Sequence, residues 1–195
     1  MQTNNHRVVA VVGMCGAGKS VVADTLVERG YAFLRFGQIV LDIVKERHLE
    51  PLESNEKGIR EEVRKKHGMA AMAILNLPKI KNLLEKSHVV VDGLYSWSEY
   101  KVLREEFGDR LTVIAVYAPP RLRYERLAAR KLLSADTNLR NRPITPDDAK
   151  KRDYSEIENI EKGGPIAMAD YTVVNSGSRD TFKKNIALVI GELKE

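Results

Sequence analysis

The sequence predicts an α/β fold in which a five-stranded parallel sheet has helices on both faces. The first observation is that short β-branched runs alternate with helical patterns along the chain, which favours parallel pairing of the strands. The second is size: 195 residues, of which 43% are hydrophobic and 30% charged, are typical of one globular domain with a sizeable core. We therefore expect residues 1–195 to form a single domain.

Five short segments have the composition of strands. The first is rich in valine and ends at Gly13, and the fourth ends at two prolines, which cannot continue a sheet. The third is a four-residue apolar run, which is typical of a strand buried on both faces. The predicted strands are residues 7–12, 31–36, 88–91, 111–117 and 171–174.

Helical spacing occupies most of the chain between these strands. In the first helix Val22, Leu26 and Val27 share one side, and Gly30 marks its end. The helix that opens at Pro146 has acidic residues in its first turn, where they interact favourably with the helix dipole. We expect the helix after the fourth strand to carry its arginines on a polar face. The predicted helices are residues 19–29, 38–48, 55–67, 69–86, 98–107, 122–133, 146–160 and 179–193.

Residues 55–86 and 134–162 do not fit the simple alternation of strands and helices. We expect them to be insertions that pack over the strand ends, where open α/β sheets bind ligands. The segment 134–146 is rich in Ser, Asp, Thr, Asn and Pro, so we expect a mobile loop there. The core of the domain would then comprise residues 7–54, 87–133 and 163–195.

Composition excludes several classes of protein. No apolar run approaches the roughly 20 residues that a membrane span needs, and residues 1–7 do not begin a signal peptide, which has a charged segment followed by an apolar one. The single cysteine, Cys15, excludes an intramolecular disulfide and a multi-cysteine zinc site. We therefore expect a cytoplasmic protein without a membrane partner.

The positive charge of the protein is concentrated in one segment. The formal net charge is +5, and residues 119–152 alone have ten Lys or Arg against four acidic residues. Such an excess suits an anionic small molecule or nucleic acid, unless it is a solvated helix face. Aromatic residues make up only 6% of the chain and do not interleave with the basic ones, which disfavours a platform for single-stranded nucleic acid.

A phosphate-binding motif directly follows the first strand. Residues 13–20, Gly-Met-Cys-Gly-Ala-Gly-Lys-Ser, fit the pattern G-x-x-x-x-G-K-[ST] between a predicted strand and a predicted helix. The glycines let successive N–H groups point at a phosphate, beside the positive end of the helix. Lys19 would reach the β- and γ-phosphates of ATP, and the Ser20 hydroxyl would bind Mg²⁺. The predicted ATP-binding residues here are Gly13, Cys15, Gly16, Ala17, Gly18, Lys19, Ser20 and Val21.

An acidic residue stands at the end of the third strand. Three buried-type valines precede Asp92, and Gly93 follows it. A phosphate loop that binds Mg²⁺ needs such a second acid, so we expect Asp92 to act with Ser20 at the metal. The alternative is that Asp92 caps the next turn.

Arginines near the predicted mobile loop are candidates for the catalytic cations. Phosphoryl transfer depends on positioning and on neutralising charge spread over three oxygens. Arg126 and Arg130 lie one helical turn apart, and Arg140, Arg142 and Arg152 flank the loop. We expect Arg126, Arg130 and Arg142 to act in catalysis with Lys19 and Asp92. The alternative for each arginine is surface charge.

Taken together, these motifs give the chain a resemblance to the nucleoside monophosphate kinase group of P-loop kinases. It is most similar to the dephospho-CoA kinase branch and to a related archaeal family of kinase-like, adenylate kinase-related proteins. The motifs that carry the resemblance, besides residues 13–20, are Phe-Gly-Gln at 36–38, Gly-Ile-Arg at 58–60, Arg-Lys-Lys-His-Gly at 64–68, Val-Asp-Gly at 91–93, the arginines at 126 and 130, Lys-Arg-Asp at 151–153, and Ala-Asp-Tyr-Thr-Val-Val-Asn-Ser-Gly-Ser at 169–178.

The resemblance implies a three-layer P-loop NTPase fold and a role for each insertion. Residues 55–86 would be an acceptor-binding helical insertion, and residues 134–162 a lid. Asn175 and Gly177 would pass beside the adenine of ATP. The acceptor-binding residues that the resemblance implies are Gly37, Asp42, Arg60, Arg64 and Gly93.

The chain departs from the family pattern after the second strand. Gln38 stands where an acid is usual, and Leu41 stands where an arginine is frequent. A hydroxyl acceptor favours a carboxylate base, which would be Asp42 or Asp92, whereas a phosphate acceptor needs only cations. The missing arginine argues against a standard monophosphate site, so the two types of acceptor stay open at this point.

The function that the sequence favours is ATP- and Mg²⁺-dependent phosphoryl transfer to a small anionic molecule, either a nucleotide or a nucleotide-like compound of the dephospho-CoA type. One alternative is an NTPase or nucleotide-binding switch without such an acceptor, although the chain has no Asn-Lys-x-Asp guanine motif. Another is a nucleic-acid-binding protein that uses the basic segment, whose affinity would fall steeply with salt.

Overall fold

The computed structural model describes residues 5–50, 52–131 and 143–193, without the side chains of residues 53 and 54. Five parallel strands form one sheet, which confirms the predicted fold class. The strands are β1 (Val8–Val12), β2 (Ala32–Arg35), β3 (Val89–Asp92), β4 (Leu111–Tyr117) and β5 (Tyr171–Val174). Their order in the sheet is β2-β3-β1-β4-β5.

Strand β1 lies at the centre of the sheet and is buried on both faces. Val8, Ala10 and Val12 pack into one core, whereas Val9 and Val11 pack into the other. After β3 the chain crosses from one side of β1 to the other, where β4 pairs with it. Open α/β sheets bind ligands at the carboxyl edge beside such a reversal, so the loop after β1 lies in the expected place.

Helices cover both faces of the sheet, as predicted. They are α1 (Lys19–Glu28), α2 (Gln38–Glu46), α3 (Glu53–His67), α4 (Ala71–Leu84), α5 (Trp97–Phe107), α6 (Pro120–Ala128), α7 (Pro146–Ile160), α8 (Gly163–Ala167) and α9 (Arg179–Glu192). Buried residues of α2, α3, α4 and α5 pack into the core that contains Val8, and those of α1 and α9 pack into the core that contains Val9. None of the helices within the described ranges is long and apolar enough to cross a membrane.

Most helix ends lie within two residues of the sequence prediction, and two helices differ from it more. Helix α6 begins at Pro120 and ends at Ala128, not at residues 122 and 133. Proline has the backbone angle of a first helical residue and needs no N–H there, which explains the earlier start. The Gly-Gly-Pro sequence predicted only a break, but it opens the short helix α8, where Pro165 again lies in the first turn.

A buried ion pair joins α6 to α7. The Arg123 side chain is 4% exposed, and its two terminal nitrogens donate to both oxygens of Asp153 over 3.1 and 2.5 Å. The hydroxyl of Tyr124 donates to the same carboxylate over 2.9 Å. The prediction that the arginines of this helix lie on a polar face is therefore wrong for Arg123, because its charge is compensated inside the protein by a residue 30 positions away.

We expect Arg123→Met to lower the free energy of unfolding by about 3–5 kcal/mol, because it leaves the Asp153 carboxylate buried without a cation. Urea denaturation measures this. The double variant Arg123→Met with Asp153→Asn should recover part of the loss, since both charges are removed together while the hydrogen bonds of Arg123 to backbone carbonyls stay broken. The matched control is Arg121→Met on the same helix, where the side chain is 93% exposed and pairs with Glu125. Its effect should stay within about 0.5 kcal/mol, and a similar loss in both single variants would contradict the role of the buried pair.

Candidate nucleotide-binding site

The loop between β1 and α1 has a backbone that requires glycine. Gly13 has φ +140°, and a Cβ there would lie 2.4 Å from the carbonyl oxygen of Val116 in β4. Gly18 has φ +106°, and its Cβ would lie 2.5 Å from the side-chain nitrogen of Asn175. At Gly13 the contact is with backbone and excludes a side chain, and at Gly18 a side chain would displace Asn175 and strain the left-handed backbone. The loop therefore packs tightly against β4 and the loop after β5, and it leads directly into the N-terminus of α1.

Lys19 folds back over this loop. Its ammonium donates to the carbonyl oxygens of Gly13 over 2.9 Å and Met14 over 3.2 Å. Burial and the nearby Lys162 ammonium lower the pKa of Lys19 to about 8, against the opposing effect of Asp92. The side chain is thus held at the mouth of the loop, where an anion would favour its charged form.

Asp92 lies at the carboxyl end of β3, beside β1. It is in register with Val11 of β1 on one side and with Arg35 of β2 on the other. Its carboxylate interacts electrostatically with Lys19. Asp92 and the Ser20 hydroxyl at the start of α1 are hard oxygen donors of the kind that Mg²⁺ prefers.

Mg²⁺ fits this pair of residues because it usually keeps several waters and substrate phosphates as ligands and takes only one or two from the protein. Within the described ranges no group of three or more His, Cys, Asp or Glu could hold a metal by itself. Ser20 at the start of α1 and Asp92, which interacts with the neighbouring Lys19, are thus compatible with a metal bound together with phosphates.

Asn175 and Arg126 brace the loop from the side of β5. The Asn175 side chain donates to the carbonyl oxygen of Ala17 over 2.7 Å. Arg126 in turn donates to the backbone and side-chain oxygens of Asn175 over 3.1 and 3.2 Å. The sequence predicted Asn175 beside the adenine and Arg126 as a catalytic cation. In the structure Arg126 is held by the buried Asn175, and Gly177 is exposed two residues further on.

Arg123 braces the loop from α6. Besides its ion pair with Asp153, it donates to the carbonyl oxygens of Cys15 over 3.0 Å and Ala118 over 3.1 Å. Neither Arg123 nor Asp153 is among the site residues that the sequence predicts. The one available signal was Asp153 within the Lys-Arg-Asp motif at 151–153.

The acceptor-side residues lie on the elements around β2 and β3. Arg60 on α3 is partly buried and pairs with Glu56 over 3.3 Å. Arg64, one turn later, interacts electrostatically with Glu99 at the start of α5. Burial raises the pKa of Glu99, against the backbone N–H groups of Tyr95 and Ser96 that donate to it.

Two glycines predicted for the acceptor site lie close together. A Cβ on Gly93 would be 3.8 Å from the backbone nitrogen of Gly37, which precedes α2. Their turns therefore meet at the carboxyl ends of β2 and β3.

Asp42 on α2 is held by two side chains. Gln38 donates to it over 3.0 Å, and Lys79 of α4 lies 3.4 Å from its other oxygen. Lys79 also borders a pocket of about 400 Å³ between α2, α3 and α4. Ile39 and Val63 contribute apolar surface to this pocket.

A second charged cluster forms where α7 and α8 meet the loop after β3. Lys162 is 2% exposed, and its ammonium lies 2.5 Å from Glu156 and 4.3 Å from the centre of the Tyr95 ring. Glu156 also accepts from Arg152 over 2.9 Å. Burial opposes the charge of Glu156, but Lys162 and Arg152 keep its pKa below the ordinary value. Of the charged residues in this cluster, only Arg152 is among the cations that the sequence predicts around the mobile loop.

The remaining predicted cations belong to the basic segment. Arg130 is half-buried just beyond the end of α6. Arg140 and Arg142, together with most of the predicted mobile loop, lie outside the described residues. Their assignment stays a prediction.

A glycine-rich loop between a central parallel strand and a helix, with lysine and serine at its end, defines a P-loop protein with a kinase-like fold. A family model described as an AAA domain matches residues 9–145. The chain belongs to the UPF0200 family, since it is 35% identical to the UPF0200 protein of Thermococcus gammatolerans over 188 residues, which cover 95% of each chain.

Solved structures with the same fold include two small-molecule kinases. Shikimate kinase from Bacteroides thetaiotaomicron aligns with a TM-score of 0.59 at 13% identity and covers 96% of this chain and 98% of its own. A gluconokinase from Sinorhizobium meliloti aligns with a TM-score of 0.51 at 16% identity over 96% and 95% of the two chains. At these identities the likeness concerns the fold.

We expect Gly18→Ala to weaken ATP binding at least tenfold and to lower the free energy of unfolding by about 1–3 kcal/mol, because the new methyl group meets Asn175 and the backbone angle is strained. Calorimetric titration with ATP and urea denaturation measure the two effects. Gly191→Ala on α9 is the control: a Cβ there meets nothing within 4 Å. It should stabilise the protein by about 0.4–1 kcal/mol and leave ATP binding unchanged. Parental ATP affinity in Gly18→Ala would show that the loop geometry is not required.

Proposed function

We propose that the protein is an ATP- and Mg²⁺-dependent phosphotransferase that phosphorylates a small anionic acceptor of the nucleotide or nucleotide-like type. The observation that carries this is that Lys19 and Asp92 interact at the carboxyl edge of the sheet, where the turns of Gly37 and Gly93 on the acceptor side also meet. A triphosphate on the loop and an acceptor on the insertion would then face each other across that edge.

The donor half of the site suits ATP. The N–H groups of the loop and the positive end of α1 favour phosphate oxygens, and Lys19 supplies a cation at the terminal phosphates. Ser20 and Asp92 would hold the metal, which when bound neutralises charge on the phosphates. The Asn175 turn supports the nucleoside end of the loop through its bond to Ala17.

The acceptor half suits an anion. Arg60 and Arg64 on α3, and Arg35 at the end of β2, bring three cations to the acceptor side. The pocket of about 400 Å³ that is bordered by Lys79, the partner of Asp42, is within the size range of small-molecule sites. The resemblance of the sequence to nucleoside monophosphate and dephospho-CoA kinases favours a nucleotide-like acceptor, and the shared fold of shikimate kinase and gluconokinase supports a small-molecule kinase in general.

The side-chain contacts bear on the choice of a base. Both oxygens of Asp42 already have partners, since Gln38 donates to one and the Lys79 ammonium lies 3.4 Å from the other. Asp92 faces Lys19 at the sheet edge. For a hydroxyl acceptor we therefore favour Asp92 over Asp42 as the group that receives the proton, and for a phosphate acceptor no base is needed.

The test is an assay of ADP release from Mg²⁺-ATP with a panel of acceptors: nucleoside monophosphates, dephospho-CoA, shikimate, gluconate and none. We expect release to depend on one nucleotide-like acceptor. Lys19→Ala should lower the rate by about 10² or more, because a cation at the transferred phosphate is lost. Equal release with and without every acceptor would support the NTPase alternative, and turnover unchanged in Lys19→Ala would contradict the proposed site.

Asp92→Asn should raise the Mg²⁺ concentration needed for half-maximal turnover about tenfold or more, because it removes a charge beside the metal and keeps the side-chain shape. Turnover is measured against Mg²⁺ at saturating ATP. The control is Asp24→Asn, an exposed residue on α1, which should leave the Mg²⁺ dependence unchanged. An unaltered dependence in Asp92→Asn would mean that Asp92 only caps its turn.

A further inference from the structure

Lys162 is a buried cation that no part of the sequence motif explains. A lysine is almost never this buried unless its charge is compensated, and here the compensation comes from Glu156 at 2.5 Å. The face of Tyr95, 4.3 Å from the ammonium, adds a cation–π contact. The ammonium is therefore fixed between a carboxylate and an aromatic ring.

This arrangement lies beside the phosphate loop. Lys162 and Glu156 both act electrostatically on Lys19, and Tyr95 interacts with Asp92 as well as with Glu156. Tyr95 is three residues beyond Asp92 on the loop after β3. Lys19, at the end of the phosphate loop, and Lys162, directly before α8, thus belong to a single electrostatic cluster.

The cluster contains more positive than negative charge. Lys19, Arg152 and Lys162 face the carboxylates of Asp92 and Glu156. Arg35 lies close enough to affect Tyr95 and adds to the excess. A partly buried site with surplus positive charge favours an anion that develops or carries charge there.

We propose that Lys162 is a ligand of the terminal phosphate of ATP, and that Glu156 is the residue that positions it. This rests on the proposed function, in which ATP is the phosphate donor. When a triphosphate binds, the Lys162 ammonium shifts from Glu156 to the terminal phosphate. Glu156 keeps Arg152 as its partner, so no buried charge loses its compensation.

A purely structural role would make a different prediction. If the pair of Lys162 and Glu156 served only to fasten the end of α7 to Tyr95, its loss would weaken every nucleotide complex alike through stability. A ligand of the terminal phosphate affects ATP and leaves ADP nearly unchanged. The ratio of the two affinities therefore separates the roles.

The experiment compares the binding of ADP and of a non-hydrolysable ATP analogue, both with Mg²⁺, by calorimetric titration. Lys162→Met keeps the apolar stem and removes the charge, while Arg152 still compensates Glu156. We expect it to weaken binding of the analogue about tenfold or more and binding of ADP less than about threefold, as for a lost charge-assisted hydrogen bond. Lys162→Arg should retain most of the preference for the triphosphate.

The control is Lys150→Met, which removes an exposed lysine from α7 and should leave both affinities unchanged. If Lys162→Met does not fold, the double variant Glu156→Gln with Lys162→Met removes both charges of the pair and should show the same selective loss. A parental ratio of affinities in the variant overturns the assignment of Lys162 alone. A parent protein that binds neither nucleotide overturns the proposed function as well.

Discussion

The geometry of the phosphate loop depends on hydrogen-bond donors for its backbone carbonyl groups. A loop that turns its N–H groups towards an anion turns its carbonyl oxygens into the protein, where each needs a donor. The Lys19 ammonium donates to two of these carbonyl oxygens, and the backbone N–H of Val21 in α1 donates to a third. The remaining donors come from distant elements. The carbonyl oxygens with identified donors are those of Gly13 and Met14 (Lys19), Cys15 (Arg123), Ala17 (Asn175) and Gly18 (the N–H of Val21).

The α/β fold and the phosphate loop could be predicted from the sequence because each depends on residues that are close together along the chain. Buried valine runs predict parallel strands, and the glycines with Lys19 identify the phosphate loop between β1 and α1. The braces of that loop could not be predicted in the same way. Arg123 and Asp153 lie 30 residues apart, and Lys162 precedes a Gly-Gly-Pro sequence that indicates only a helix end. Their pairing is set by how α6, α7 and β3 pack, which no periodicity encodes.

Part of the positive charge of the basic segment, residues 119–152, is used inside the protein. Arg123 and Arg126 both point inward and hold the loop, through Cys15 and Asn175. These charges serve the geometry of an anion site. The surplus that remains near the loop, on Arg152 and Lys162, is compensated by one carboxylate, Glu156. The charged side chains around the loop thus form a compact cluster of a kind that suits a phosphate ligand.

The same contacts limit how α7 can move. Asp153 anchors the helix to Arg123, and removing either partner from the other would leave a buried charge uncompensated, at a cost of several kcal/mol. Arg152 and Glu156 lie next to Asp153 and one turn beyond it, so they are held at a fixed distance from the phosphate loop. Any movement of α7 as a unit would have to break that anchor. We therefore expect a response to the nucleotide at α7 to come from side chains that exchange partners, as we propose for Lys162 between Glu156 and a phosphate.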